Sequence, residues 1–258
     1  MAKKKKNKAF IYFLASALLL AGAALMKSFP VFVFAGLAPL FAITDHIKED
    51  DSLWTYLDLM LLSISFALFS LVFFTMPELP WIIGQSILFT ACFALFIFAR
   101  RQLGQRLPKF VILIFWLGME YVFIKVAPLH DFIFLADFLM LKPNWFTWSQ
   151  HTGYLGASSW ILICNLMLYQ AVLKKEFNWI YFTMFFLMLI TPIGISYFKE
   201  FGPVLRSDML SLYTNTSLNA SSPYPYASRG EFIPRTAAWI GTLILIFAFV
   251  KSITGKKR

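Results

Sequence analysis

Long, continuous apolar runs recur along the whole chain and predict transmembrane helices. Most of these runs are long enough to cross the roughly 30 Å hydrocarbon core of a bilayer as a helix. Eight runs are expected to span: 10–26, 30–44, 53–75, 81–99, 110–127, 158–173, 179–197 and 236–251. The second is short, so we expect it to be tilted or re-entrant. The pattern predicts an all-α fold, a polytopic membrane helix bundle.

Composition excludes a soluble globular domain. Of the 258 residues, 59% are hydrophobic and 14% are charged, and the mean hydropathy is +0.70. A soluble domain of this length cannot bury so much apolar surface. We therefore predict a single membrane domain over 1–258. Its basic N-terminus resembles a secretory signal, but the apolar stretch is long and another span follows, so we expect it to remain as the first transmembrane helix.

Basic residues indicate how the bundle is oriented. With both termini in the cytoplasm (N-in/C-in), most of the 23 Lys and Arg residues lie on the cytoplasmic side, in agreement with the positive-inside rule. Their attraction to anionic lipid heads explains the net charge of +10 without a nucleic-acid partner. Cys92 and Cys164 lie inside predicted spans without metal-site spacing, so the sequence predicts no metal and no cofactor.

Two predicted external segments are long enough to carry function. Residues 128–157 are too hydrophobic for a free loop, so we expect them to lie in the periplasmic membrane interface or to fold back into the bundle. Residues 198–235 are polar and rich in Ser, Asn and Pro, which predicts a short, irregular periplasmic loop.

Glu120, Gln85 and Asn165 are polar residues inside predicted spans. An ionised carboxylate near the middle of a span is costly, so we expect Glu120 to face the bundle or a wet cavity and to be paired or protonated. A structural and a functional role both remain open for this residue. Gln85 and Asn165 are expected to form hydrogen bonds between helices.

An aromatic segment, a Gln-His-Thr-Gly turn and a helix containing Trp and Asn follow one another in "NWFTWSQHTGYLGASSWILICNLML". This stretch resembles the apolipoprotein N-acyltransferase family, in particular its Bacteroidetes members. Upstream, "FWLGMEYVF" and "FPVFVFAGLAPLFAI" are similar to the family's Glu-containing helix and its Pro-rich second span. The resemblance implies that lipid or lipoprotein binds at these positions: Trp116, Glu120, Trp145, Trp148, Gln150, His151, Gly153, Gly156, Trp160 and Asn165.

The residue types in this motif suit a membrane surface. Gly153 and Gly156 permit tight turning and close approach of the backbone. Trp145, Trp148 and Trp160 are expected to anchor in the interface, where a lipid enters from the side.

The chain departs from that family between its last two predicted spans. Family members carry there a nitrilase-like domain with a Glu–Lys–Cys triad, whereas this chain has the short segment 198–235, which contains no cysteine. No thioester can form by that chemistry, so no catalytic residue is predicted. The resemblance identifies relics of the domain's closing segment at Asn215, Thr216, Glu231 and Arg235.

The leading hypothesis is a nitrilase-less relative in a bacterial inner membrane. Such a multi-pass scaffold would bind membrane phospholipid or lipoprotein without acylating it, or pair with another membrane protein. A second hypothesis is an active acyltransferase that uses other acid/base groups, or one that a separate subunit completes. Its candidate groups are His130, Asp131, Asp137, His151 and Glu120. A third is a transporter component, for which the sequence contains no convincing internal repeat.

Overall fold

The computed structural model describes residues 2–26, 30–47, 53–75, 79–104, 107–126, 132–174, 176–198 and 232–255. Regular structure within these ranges is entirely helical, so the predicted all-α fold is confirmed. The α-helices are α1 (Ala2–Leu25), α2 (Val33–Gly36), α3 (Ala38–His46), α4 (Leu53–Thr75), α5 (Leu79–Leu103), α6 (Phe110–Lys125), α7 (Ser149–Thr152), α8 (Tyr154–Leu168), α9 (Trp179–Phe198) and α10 (Phe232–Gly255). Short 3-10 helices occupy Pro30–Phe32, Leu135–Leu141 and Pro143–Trp145, and a π-helical turn, Tyr169–Leu173, extends α8.

Four helices are long and apolar enough to cross a bilayer: Pro80–Leu103, Tyr154–Leu173, Trp179–Phe198 and Ile233–Thr254. They match the fourth, sixth, seventh and eighth predicted spans. By length and composition the structure supports four spans, and the count of eight is not confirmed. Shorter apolar helical segments lie at Ala9–Ala23, Pro30–His46 and Tyr56–Leu68 within the described residues. α6 has 16 residues, which make about 24 Å of helix. The second predicted span is interrupted at Leu37, between α2 and α3.

α8 lies at the centre of the bundle. Most of its side chains are buried, and it contacts α2, α6, α9 and the 3-10 helix Leu135–Leu141. α9 and α10 are peripheral, since α9 packs on α8 whereas α10 packs on α6 and α5. Large apolar side chains are exposed on their outward faces: Trp179, Ile180, Leu187, Trp239, Leu243 and Phe247. In a bilayer such faces contact lipid chains.

The described part of the predicted interfacial segment, residues 132–157, folds back into the bundle. Phe132 to Ala136 are buried, as are Phe138, Leu139 and Phe146. The 3-10 helix Leu135–Leu141 packs against α8. This segment therefore contributes to the core through a non-helical entry and a short 3-10 helix, which leaves its backbone to be hydrogen-bonded by other groups.

α6 and α10 approach each other closely at two glycines. A Cβ atom added to Gly118 would lie 3.0 Å from the Cα atom of Ala238, and one added to Gly241 would lie 3.2 Å from Cδ1 of Phe115. Helices in membranes associate through such close packing of small residues, because lipid tails are as apolar as the helix surfaces. The glycines therefore hold α10 against α6.

Replacing Gly118 with Leu is expected to force α10 away from α6 and to lower the free energy of unfolding by about 1–3 kcal/mol, the usual cost of overpacking. Gly84→Leu is the matched control, because a Cβ atom at Gly84 in α5 meets no atom within 4 Å. Denaturant titration of both variants in the same detergent measures the difference. Equal stability of the two variants would contradict the close contact at Gly118.

Candidate functional site

Glu120 is fully buried in α6 and serves as a hydrogen-bond acceptor. Its Oε1 accepts from the indole Nε1 of Trp116 at 3.1 Å and from the backbone N–H of Leu135 at 2.9 Å. Oε2 has no hydrogen bond of ordinary geometry within the described residues, although the Ser158 side chain lies beside the carboxyl group. The carboxyl group therefore faces the bundle, as the sequence predicted, and holds the entry to the 3-10 helix Leu135–Leu141.

Four successive backbone N–H groups, those of residues 133–136, donate to side chains. Their acceptors are Gln85 Oε1 for Ile133 (2.9 Å), Asp137 Oδ2 for Phe134 (2.7 Å), Glu120 Oε1 for Leu135 (2.9 Å) and Ser158 Oγ for Ala136 (3.2 Å). The amide Nε2 of Gln85 also donates to the carbonyl of Ile133. Because these N–H groups are buried away from water and have no helical acceptor, the side chains take the place of solvent. We call this set the entry cluster.

Asp137, one of the candidate acid/base residues, uses both carboxylate oxygens as hydrogen-bond acceptors, one of them within the entry cluster. Oδ2 accepts from the backbone of Phe134, and Oδ1 accepts from the hydroxyl of Tyr154 in α8. The bond to Tyr154 ties the 3-10 helix to the start of α8.

Asn165 bridges α8 to the break between α2 and α3. Its Oδ1 accepts from the N–H groups of Leu37 at 2.7 Å and Ala38 at 3.0 Å. Its Nδ2 donates to the carbonyls of Val33 at 2.8 Å and Ile161 at 2.9 Å. The predicted hydrogen bonding between helices is confirmed, and the amide is used completely by backbone groups.

Trp160 compensates for a proline in the neighbouring helix. Pro192 lies inside α9 and has no N–H to donate to the carbonyl of Met188, four residues earlier. The indole Nε1 of Trp160 donates to that carbonyl at 2.6 Å. Trp148 packs edge-on against Trp160, with ring centres 5.5 Å apart. This pair therefore joins α8 to α9.

The turn between α7 and α8 requires glycine at two positions. Gly153 has φ +76°, a conformation that side chains with a Cβ atom rarely adopt. A Cβ atom on Gly156 would lie 2.3 Å from Oγ1 of Thr152. Gln150 and His151 lie in α7, where the His151 side chain is exposed. The glycines thus form the tight entry into α8 that the sequence suggested.

The residues predicted to bind lipid are not brought into one cluster. Trp116 stacks on Phe89 at 4.2 Å, beside the entry cluster, and both rings line an apolar cavity of about 330 Å³. Trp145 is half-buried in the 3-10 helix Pro143–Trp145, and Asn165 lies more than one turn further along α8 than Trp160. Arg235 is in the first turn of α10. Asn215, Thr216, Glu231, His130 and Asp131 lie outside the described residues.

Sequence reasoning missed a polar cluster, the Asp45 cluster, in which the exposed Asp45 meets the partly buried Lys109 and the buried residues Thr44, Arg100 and Tyr169. Lys109 Nζ lies 2.9 Å from Asp45 Oδ1 and donates to Thr44 Oγ1 at 2.6 Å. The Tyr169 hydroxyl donates to Asp45 Oδ2, and Lys109 Nζ lies 4.3 Å from the centre of the Tyr169 ring. Arg100 Nη2 donates to the carbonyl of Thr44 at 2.8 Å. The sequence signal for this cluster was an acidic residue, Asp45, at the end of one apolar run and a lysine, Lys109, directly before another.

Sequence reasoning also missed an apolar groove between α6, α8 and α10, with a volume of about 720 Å³. Its floor includes Leu117, Ile163 and Ala237. Phe110 and Ile233 line its edges and are about half exposed, at 53% and 48%, so the groove opens on the outer surface of the bundle. No hydropathy pattern distinguishes such a groove from an ordinary lipid-facing surface.

Removing the Glu120 carboxyl group is expected to destabilise the entry cluster. Glu120→Ala leaves the buried N–H groups of Trp116 and Leu135 without their acceptor, at about 1–3 kcal/mol each, so the free energy of unfolding should fall by about 2–6 kcal/mol. Glu120→Gln keeps a carbonyl acceptor at the same place and should stay within about 1 kcal/mol of the native protein. Unfolding of both variants in detergent tests this, and equal losses would mean that the negative charge matters more than the acceptor.

Because of Lys109, we expect the free energy of unfolding to change with pH in the alkaline range. Burial lowers the pKa of its amine from 10.5 to about 8, against the opposing attraction of Asp45. Between these two pH values the unfolded chain binds more protons than the folded one, so the contribution of Lys109 to stability rises with pH from about 8 to about 10.5. The difference in unfolding free energy between the native protein and Lys109→Met should therefore change across the window, and a constant difference would refute the assignment.

Comparisons of the chain with protein-family models, with curated proteins and with solved structures find no match. The resemblance to apolipoprotein N-acyltransferase therefore stays a prediction from the sequence. Within the described residues, no group of three or more His, Cys, Asp or Glu side chains is placed to hold a metal ion.

Proposed function

We propose that this protein is a multi-pass scaffold of a bacterial inner membrane, with both termini in the cytoplasm, that binds the acyl chain of a phospholipid or lipoprotein. It holds the lipid without transferring the acyl group. The observation that carries this proposal is the apolar groove between α6, α8 and α10, which opens on the outer surface of the bundle.

The shape of the groove suits a hydrocarbon chain. α6 and α10 touch at Gly118 and Ala238, and the lining extends from Phe110 near the start of α6 to Ile233 in the first turn of α10. The walls are apolar apart from the hydroxyl groups of Ser159 and Thr236. An acyl chain lying along the helices would meet these walls over much of its length.

The energy of such binding comes from packing. Lipid tails are as apolar as the groove, so moving one into it gains little from the hydrophobic effect. The side chains that line an unfilled groove lack dispersion contacts on one side, and a bound acyl chain supplies them. Each such contact is small, but together they are large. Selectivity therefore depends on the match between the chain and the groove.

The hydrogen bonds that the buried polar groups accept from the backbone favour a scaffold over an acid/base catalyst. Glu120, Asp137 and Asn165 each accept backbone N–H donors, which gives each of them a structural reason to be polar. None of the three lines the groove among the residues that the structure describes there. Acyl transfer with a separate catalytic subunit remains an outcome that the experiment must distinguish.

Narrowing the groove is expected to release bound lipid. Ile240 lines the groove, whereas Leu243 on the same helix is exposed and outside the lining. After detergent exchange, native mass spectrometry should detect retained phospholipid on the native protein and on Leu243→Trp, and several-fold less on Ile240→Trp. Equal retention by both variants would contradict binding in the groove.

Absence of catalysis is tested with the purified protein alone. Incubation with diacylated lipoprotein and phospholipid is followed by mass spectrometry of the lipoprotein N-terminus. The scaffold proposal expects no N-acylated product, even when lipid binding is intact. Robust formation of that product would overturn the scaffold reading and favour the active acyltransferase.

A further inference from the structure

A second opening lies on the other side of α10, at the end of the bundle where α6 ends and α10 begins. This cleft has a volume of about 890 Å³. Its lining includes Tyr121 and Lys125 from the last turns of α6, and Arg235, Ala238, Trp239 and Thr242 from α10. The positions of these residues separate the cleft from the acyl groove, because Ile233, Thr236, Ala237 and Ile240 line that groove from the opposite face of α10.

The outer end of the cleft is built for an anion. Lys125 and Arg235 both line it, and no acidic side chain is among its described lining residues. Guanidinium and ammonium groups bind phosphate oxygens through charge-assisted hydrogen bonds. Lys125 Nζ lies 5.5 Å from the centre of the Tyr121 ring, which helps to hold the ammonium group at the mouth of the cleft.

The cleft changes character along its length. Thr242 lies seven positions after Arg235 in α10, so the two residues are roughly 10 Å apart along the helix axis. Below the cations the wall is formed by Ala238 and by Trp239, whose side chain is 65% exposed. Tryptophan is enriched at headgroup depth in membranes, where one part of its ring system is apolar and the other can donate a hydrogen bond. The cleft thus combines a cationic end with an apolar continuation.

We infer that this cleft binds the phosphodiester headgroup of an anionic phospholipid, with Lys125 and Arg235 on the phosphate and the glycerol and upper acyl region against Ala238 and Trp239. A free phosphate would use the cationic end alone, whereas a lipid uses the whole length of the cleft. In the proposed orientation the site faces the periplasmic leaflet. The inference rests on the proposed membrane embedding but not on the acyl groove.

The experiment titrates delipidated full-length protein in detergent with phosphatidylglycerol and, separately, with phosphatidylcholine of the same acyl chains, using native mass spectrometry. Removing one cation from an anionic lipid site weakens the binding affinity several-fold. The double variant Lys125→Gln with Arg235→Gln should therefore weaken phosphatidylglycerol binding by roughly 30-fold. Phosphatidylcholine has the same phosphodiester but also a choline cation that the two basic side chains repel, so it should bind the native protein more weakly and lose less than about threefold in this variant. Lys142→Gln is the matched control, because Lys142 is a described basic residue outside the cleft lining and should leave both affinities unchanged.

Two further arms make the outcome decisive. The exchanged variant Lys125→Arg with Arg235→Lys keeps both charges and should restore phosphatidylglycerol binding, which distinguishes a lost contact from a damaged fold. Inorganic phosphate at millimolar concentration should not displace the lipid, and displacement would instead assign the cleft to a soluble anion. Equal loss in the Lys142→Gln control, or no loss in the double Gln variant, overturns the site. Ile240→Trp leaves the cleft intact and should still bind phosphatidylglycerol, whereas its loss of groove lipid is measured in the double Gln background, where the cleft no longer holds lipid. The failure of the groove and the failure of the cleft can then be told apart.

Discussion

Backbone hydrogen bonding without water is the constraint on which the rest of this structure depends. Two segments of the bundle leave regular α-helix where solvent cannot reach them: the break at Leu37 and the entry to Leu135–Leu141. Asn165 satisfies the first, and the entry cluster satisfies the second. In hydrocarbon each such group would cost several kcal/mol if left unpaired. The buried polar residues are therefore part of the architecture, and they fix where the chain can leave and re-enter helical structure.

The same constraint explains the aromatic motif that the sequence associates with lipid. Trp160 supplies the donor that Pro192 lacks, and Trp116 donates to Glu120, so both indole N–H groups are used inside the bundle. An amphipathic ring serves an interior as well as an interface, because it fills space and satisfies one acceptor. A resemblance built on such residues can thus reflect a shared way of folding a membrane bundle, independently of any shared reaction.

The sequence was sufficient for the helical class and for the burial of Glu120, since continuous hydropathy and the cost of an intramembrane charge act locally. It could not supply the partners. Asn165 meets Leu37 across 128 positions of the chain, and Lys109 meets Thr44 across 65. The positive-inside rule treats Lys109 as a loop charge, which concealed the Asp45 cluster. Hydropathy also averages over the interruption at Leu37, so it predicted a short span at 30–44, tilted or re-entrant, without locating the break.

Interior and exterior surfaces of the bundle therefore carry different tasks. The polar groups of α6 and α8 are directed inward and hold the non-helical backbone, which favours a rigid centre with one arrangement. α10 packs on α6 through close contacts at Gly118 and Gly241. The apolar groove lies on one face of α10, and the cleft lined by Lys125 and Arg235 lies on the opposite face. A helix fixed by close backbone contact presents both surfaces at a constant separation. The two proposed lipid sites therefore lie on the outer surface of the bundle, apart from the polar groups that hold its interior.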